Sequence, residues 1–107
     1  MAKPDTPLQR HELAPSIDDA WQAFSKAVFT AGALDAKTKQ LIAVAVAHVT
    51  QCQYCIRGHS RRAARAGASP QEVMEAIWVA AEMRSGGAVA HSHLALEELD
   101  RARGAEK

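Results

Sequence analysis

Between Lys37 and His59 the chain reads KTKQLIAVAVAHVTQCQYCIRGH, and the fold turns on how the first half of that stretch is taken. Leu41 to Ala47 is the longest unbroken apolar run, and Asp35 stands just before it as a side chain able to cap a helix. The spacing predicts a helix from Asp35 through Lys39, Leu41, Ile42, Val44 and Val46 towards Val49. Over two turns it is apolar nearly all round, so it is expected to be buried on every side. The run is far too short for a bilayer, which takes about 20 apolar residues.

Working outward, each neighbouring segment also carries a helical signal. Upstream, Ser16 is predicted to cap a helix with Asp18 and Asp19 in its first turn, carrying Ala20, Trp21, Phe24, Ala27 and Val28 on its apolar side and ending at Gly32. Downstream, a helix is predicted to begin near Gln51 to Cys52 and to stop at Gly67. Ser69, Pro70 and Glu72 then supply an N-cap, a proline at the first helical position and a capping-box glutamate. The helix they open is expected to bury Val73, Ile77, Trp78 and Ala81 and to be interrupted by Ser85, Gly86 and Gly87. A last helix, from Val89 to about Arg101, carries Leu96 and Leu99. Residues 1–12, with two prolines and no apolar period, predict a flexible arm, and 13–107 a single helical domain. No strand period or internal repeat occurs, so the fold class is all-α, of about five helices.

Composition narrows the function. Thirteen Lys and Arg against 12 Asp and Glu leave a formal charge of +1, which argues against nucleic acid or an anionic membrane as partner. Arg57, Arg61, Arg62 and Arg65 fall close together and are expected to form a solvated helix face. The opening MAKPDTPLQR lacks the apolar centre of a secretory signal, so a cytoplasmic location is expected. Apolar residues make up 48% of the chain but aromatics only 5%, and a small domain with so few large side chains has little core to spare. A homo-oligomer is therefore expected, with Leu41 to Ala47 near its contacts.

The chemistry lies in Cys52-Gln-Tyr-Cys55-Ile-Arg-Gly-His59, which holds both cysteines of the chain. On a helix, Cys52 and Cys55 lie on neighbouring turns and can close a disulfide, while His59 stands one turn beyond Cys55 on the same face. A cysteine reacts as its thiolate, which a helix N-terminus and an adjacent imidazole both favour. The helix N-terminus favours Cys52, and the spacing to His59 favours Cys55. The sequence reading takes Cys55 as the histidine-activated sulfur and Cys52 as its resolving partner. Zinc wants four ligands, and no second pair at zinc spacing follows; neither a metal nor another cofactor is expected. His48, four residues before Cys52, and His91, after the glycine pair, are candidate proton carriers or pocket walls.

From Lys37 to about Leu99 the chain resembles the AhpD-like branch of the carboxymuconolactone decarboxylase family: KTKQLIAVAVAHVTQCQYCIRGH, then AARAGASPQEVMEAIWVAA, then a glycine-rich break and a last helix. The resemblance implies an all-α fold assembling as trimers or hexamers. It also implies a peroxidase or disulfide-reductase role acting on a small hydroperoxide or a partner protein's disulfide and reset by an external thiol reductant. Cys52, Cys55 and His59 match the family's catalytic positions, and Tyr54 resembles the tyrosine common between the cysteines. Members with a full proton relay carry glutamate where this chain has Gln40. Glutamine neither takes up nor releases a proton near neutral pH, so a relay here must run through His59, water, or a substitute such as His48, His91 or Glu82. The alternatives are a lactone decarboxylase acting through histidine, which needs no cysteine pair, and a non-catalytic module that senses redox state or binds a ligand.

Overall fold

The computed structural model describes the backbone of residues 7–105 and the side chains of 9–105. The described residues form six helices and no strand: α1 (Pro7–Leu13), α2 (Pro15–Phe29), α3 (Ala36–Thr50), α4 (Gln53–Arg65), α5 (Pro70–Ala90) and α6 (Ser92–Ala105). They divide into two compact units, one up to Lys39 and one from Gln40 onward.

In the first unit, residues 7–13 are helical where prolines and absent periodicity predict an arm; residues 1–6 of that arm lie outside the described residues. Proline ends a helix from within but opens one from its first position, and Pro7, Pro15 and Pro70 all open helices. For the same reason α2 starts at Pro15 behind Ala14, with no side-chain cap, rather than at Ser16. His11 Nε2 lies 2.9 Å from Asp19 Oδ1 and links α1 to α2. The exposed rings of Trp21 and Phe24 stack at a tilt on α2, which stops at Phe29, short of Gly32. Its last carbonyls are taken up from the next helix: Lys39 Nζ donates to Val28 O at 2.8 Å and to Thr30 O at 2.7 Å. Asp35 caps α3 as expected, its Oδ1 accepting from Thr38 N at 2.7 Å, and those bonds hold its carboxyl below the ordinary carboxylate range.

In the second unit the buried side chains are few and small: Gln40, Val44 and Ala47 of α3, Ala63 of α4 and Ala80 of α5. Small residues let helices approach closely, but they bury little apolar area; Val44 alone is large enough to contribute roughly 1.5–3 kcal/mol by burial. The expectation that α3 is buried all round is corrected: one stripe is covered, while Ile42, Val46 and Val49 face outward. Arg84 of α5 donates from Nη1 to Val49 O at 3.2 Å, taking up a carbonyl at the C-terminal end of α3.

The Ser69 capping box forms as predicted: Ser69 Oγ accepts from Glu72 N, and Glu72 Oε1 accepts from Ser69 N. The expected interruption at Gly86 and Gly87 does not occur. Helix α5 runs through both glycines to Ala90, because glycine permits other backbone shapes without forbidding the helix, at a cost of about 1 kcal/mol each. The break comes at His91, whose Nδ1 lies 2.7 Å from Gly87 O, while Ser92 Oγ donates to Val89 O. Val73 and Ile77 are half-buried, whereas Trp78 is 67% exposed and Ala81 is exposed too. Among the described residues, no helix is long and apolar enough to cross a membrane.

Candidate functional site

The site is built on the junction between α3 and α4. Gln51 follows the end of α3 in the left-handed region, at φ 61°, and Cys52 N then donates to Ala47 O at 3.1 Å. This is a Schellman closure with glutamine where glycine is usual. It hands the chain directly to the next helix, so Cys52 ends one helix closure and serves as N-cap of α4.

As N-cap, Cys52 uses its sulfur where serine would use oxygen: Sγ accepts from Cys55 N at 3.3 Å. The sulfurs of the two free cysteines lie 2.6 Å apart and share a hydrogen bond that either thiol can donate. The backbone N–H of Cys55 that reaches Cys52 favours charge on that sulfur. Accordingly Cys52 is held below the ordinary thiol value, first by the hydrogen bond from the Cys55 side chain and then by the Cys55 N–H. Cys55 is pushed up by the same shared hydrogen bond, then by burial and by charge on Cys52. Both residues are half-buried.

One turn along α4, His59 is half-buried, and its Nδ1 lies 2.7 Å from Oε1 of Gln40. Burial, and then the charge of Arg62, push its imidazole below the ordinary histidine value, so the ring favours its neutral form. Gln40 is only 8% exposed. The structure thus joins four of the predicted site residues in two pairs, Cys52 with Cys55 and Gln40 with His59, and α4 sets one helical turn between Cys55 and His59.

The remaining candidates are bonded within their own helices or exposed. His48 Nδ1 lies 2.7 Å from Val44 O, inside its own helix. Tyr54 is 89% exposed, Glu82 is exposed on α5, and His91 is exposed at the α5 C-cap. Among the described residues, no three His, Cys, Asp or Glu side chains gather closely enough to hold a metal ion. Arg62 was grouped with a solvated face, yet its charge bears on His59; the spacing of three residues on one helix is the signal that finds it. Gln51 and Arg84 carried no local signal for their roles at the C-terminal end of α3.

Residues 15–98 match the carboxymuconolactone decarboxylase family. Uncharacterized protein 4 in the cox locus of Paracoccus denitrificans is 64% identical over 90 residues, covering 84% of this chain and 81% of that protein. Among solved structures, a protein from Methanobacterium thermoautotrophicum is similar with a TM-score of 0.74 at 34% identity, covering 78% of this chain and 93% of that one. A carboxymuconolactone decarboxylase family protein from Legionella pneumophila gives 0.70 at 31% identity, covering 88% and 84%. A family member from Thermotoga maritima, for which a part in an antioxidative response has been suggested, gives 0.59 at 32% identity, covering 83% and 92%. With most of its length matched by the family pattern and its helices laid out as in these structures, the chain belongs to the carboxymuconolactone decarboxylase family.

Proposed function

We propose that the chain is a thiol-dependent oxidoreductase that reduces a small hydroperoxide or a partner protein's disulfide through Cys52 and Cys55, with His59 as base. The observation that carries the reading is the capped sulfur pair: Cys52 Sγ accepts from Cys55 N and lies 2.6 Å from Cys55 Sγ, one turn from an imidazole that favours its neutral form. The antioxidative role suggested for the Thermotoga maritima relative is in keeping with it.

The cap supports Cys52 as the first nucleophile, reversing the order that spacing to His59 favours. Against a disulfide, the Cys52 thiolate forms a mixed disulfide and expels one partner sulfur as thiolate. Against a hydroperoxide, it takes the distal oxygen as a sulfenic acid and releases an alkoxide, which is protonated to the alcohol. Cys55 then gives its proton to His59 and attacks the Cys52 sulfur. The Cys52–Cys55 disulfide forms as the second partner thiolate or hydroxide leaves, and an external dithiol returns the pair to thiols. A reducing cytoplasm is the compartment that suits such a cycle.

Copies of the chain associate, as trimers or hexamers, in the same reading. Support comes from α5 and α6, where Trp78, Val79, Met83, Val89, Leu94, Leu96 and Leu99 are all exposed, far more apolar surface than scattered single residues would give. Trp78→Glu places a charge in that face and is expected to lower the mass seen by light scattering; an unchanged mass would remove α5 from the contacts.

The activity test is consumption of an alkyl hydroperoxide or of a disulfide substrate in the presence of a dithiol. Turnover is expected to vanish in Cys52→Ser and in Cys55→Ser. Turnover that survives in the double variant would eliminate the thiol reading, and lactone turnover in that variant would point to histidine chemistry instead.

A further inference from the structure

We propose that Gln40 is a positioning residue that selects the tautomer of His59, holding the ring's proton on Nδ1 and leaving Nε2 as its lone-pair nitrogen. The catalytic consequence rests on the thiol reading above, while the tautomer itself does not.

The two side chains come from different helices, Gln40 from the start of α3 and His59 from the middle of α4, and meet at 2.7 Å. The contact atom on Gln40 is the amide oxygen, which only accepts, so the ring that meets it donates from Nδ1. A neutral imidazole carries one proton, and placing it on Nδ1 makes Nε2 the nitrogen able to take another. Gln40 is 8% exposed, and a buried amide that loses its partner pays a desolvation penalty, which keeps the pair together. Among the described residues, no buried side-chain nitrogen or oxygen lacks a hydrogen-bond partner. The amide thus takes over one duty of a carboxylate at this position, orientation by acceptance, without the other, proton exchange. The proton leaving Cys55 stops at Nε2 of His59 and is passed from there to water or to the leaving group, not onward through residue 40.

The test is nitrogen NMR of the full-length chain carrying 15N-histidine, at a pH where the His59 ring is neutral. In the unmodified chain, Nδ1 of His59 is expected to appear as the protonated nitrogen and Nε2 as the unprotonated one; the opposite pattern overturns the proposal without touching the thiol reading. In Gln40→Leu the tautomer ratio is expected to move towards Nε2–H by about fivefold, the scale of one net hydrogen bond. Gln40→Glu keeps the acceptor and is expected to restore Nδ1–H. A folded Gln40→Leu whose ratio does not move also overturns the proposal. A chain with the expected tautomer but no thiol turnover would reject the proposed activity and leave this assignment standing.

Discussion

Cys52 and Cys55 stand sulfur to sulfur at 2.6 Å, and the backbone N–H of Cys55 donates to Cys52 Sγ at 3.3 Å. The helix therefore makes one of two side chains of the same type the more easily ionised, Cys52, and the other the firmer holder of its proton, Cys55. The difference comes from position alone: the N-cap residue faces unpaired amides, and the residue three places on supplies one of them.

Iodoacetamide trapping followed by mass spectrometry should label Cys52 first, and at a lower pH than an ordinary thiol, because its lowered value keeps it ionised there. Cys55→Ala removes the thiol that donates to Cys52 and should move Cys52 labelling to higher pH. Cys55→Ser retains a donor and should move it less. Labelling of Cys55 ahead of Cys52 in the unmodified chain would reverse the roles.

The rate of the proposed reaction should fall as pH falls through the lowered value of His59, since only the neutral ring accepts a proton. Burial and then Arg62 depress that value, so the acid limb should lie below the ordinary imidazole range. Arg62→Gln relieves the charge repulsion, raises the His59 value and should move the limb to higher pH. His59→Gln should cost about 100-fold or more in kcat/KM, the low end for a positioned base. A limb that ignores Arg62→Gln would mean that another group sets it.

Gln51 adopts a left-handed backbone that costs a side-chain-bearing residue about 1–2 kcal/mol and glycine almost nothing. Gln51→Gly should therefore stabilise the chain by roughly 1 kcal/mol, offset in part by the greater freedom of an unfolded glycine and by loss of the Gln51 Nε2 bond to His48 O. Denaturant unfolding measures it. A loss of stability greater than about 1 kcal/mol would show that the Gln51 side chain matters more than its strain.

Gly87 lies inside α5, and a Cβ built there meets nothing within 4 Å in the chain. Gly87→Ala should stabilise an unbroken helix by about 0.5–1 kcal/mol. Thermal unfolding at fixed protein concentration is the check. A destabilised variant would mean either that the helix breaks at the glycines or that another copy packs against that position.

The helices themselves were largely legible because their signals are local. Asp35, Ser69 with Glu72, and Gly67 act on amides or backbone angles within a few residues, and each works in the structure as the sequence predicts. The Cys52-Cys55-His59 spacing was legible for the same reason: three and four residues are one helical turn. Proline and glycine misled where position outweighed identity, with Pro7 and Pro15 opening helices and Gly86 and Gly87 lying within one.

What the tertiary structure alone decided are the contacts between residues distant in sequence. Gln40 meets His59 across 19 positions, and Arg84 reaches Val49 across 35; no local pattern selects either partner, because each depends on how separate helices pack. The exposed faces were equally hidden, since periodicity says which side of a helix is apolar but not whether the same chain covers it. Helix caps and turn spacing are set by neighbours along the backbone, so the sequence determined the elements and the cysteine motif. Pairing across helices is set by packing, so only the structure revealed what holds His59 and which apolar faces are left uncovered.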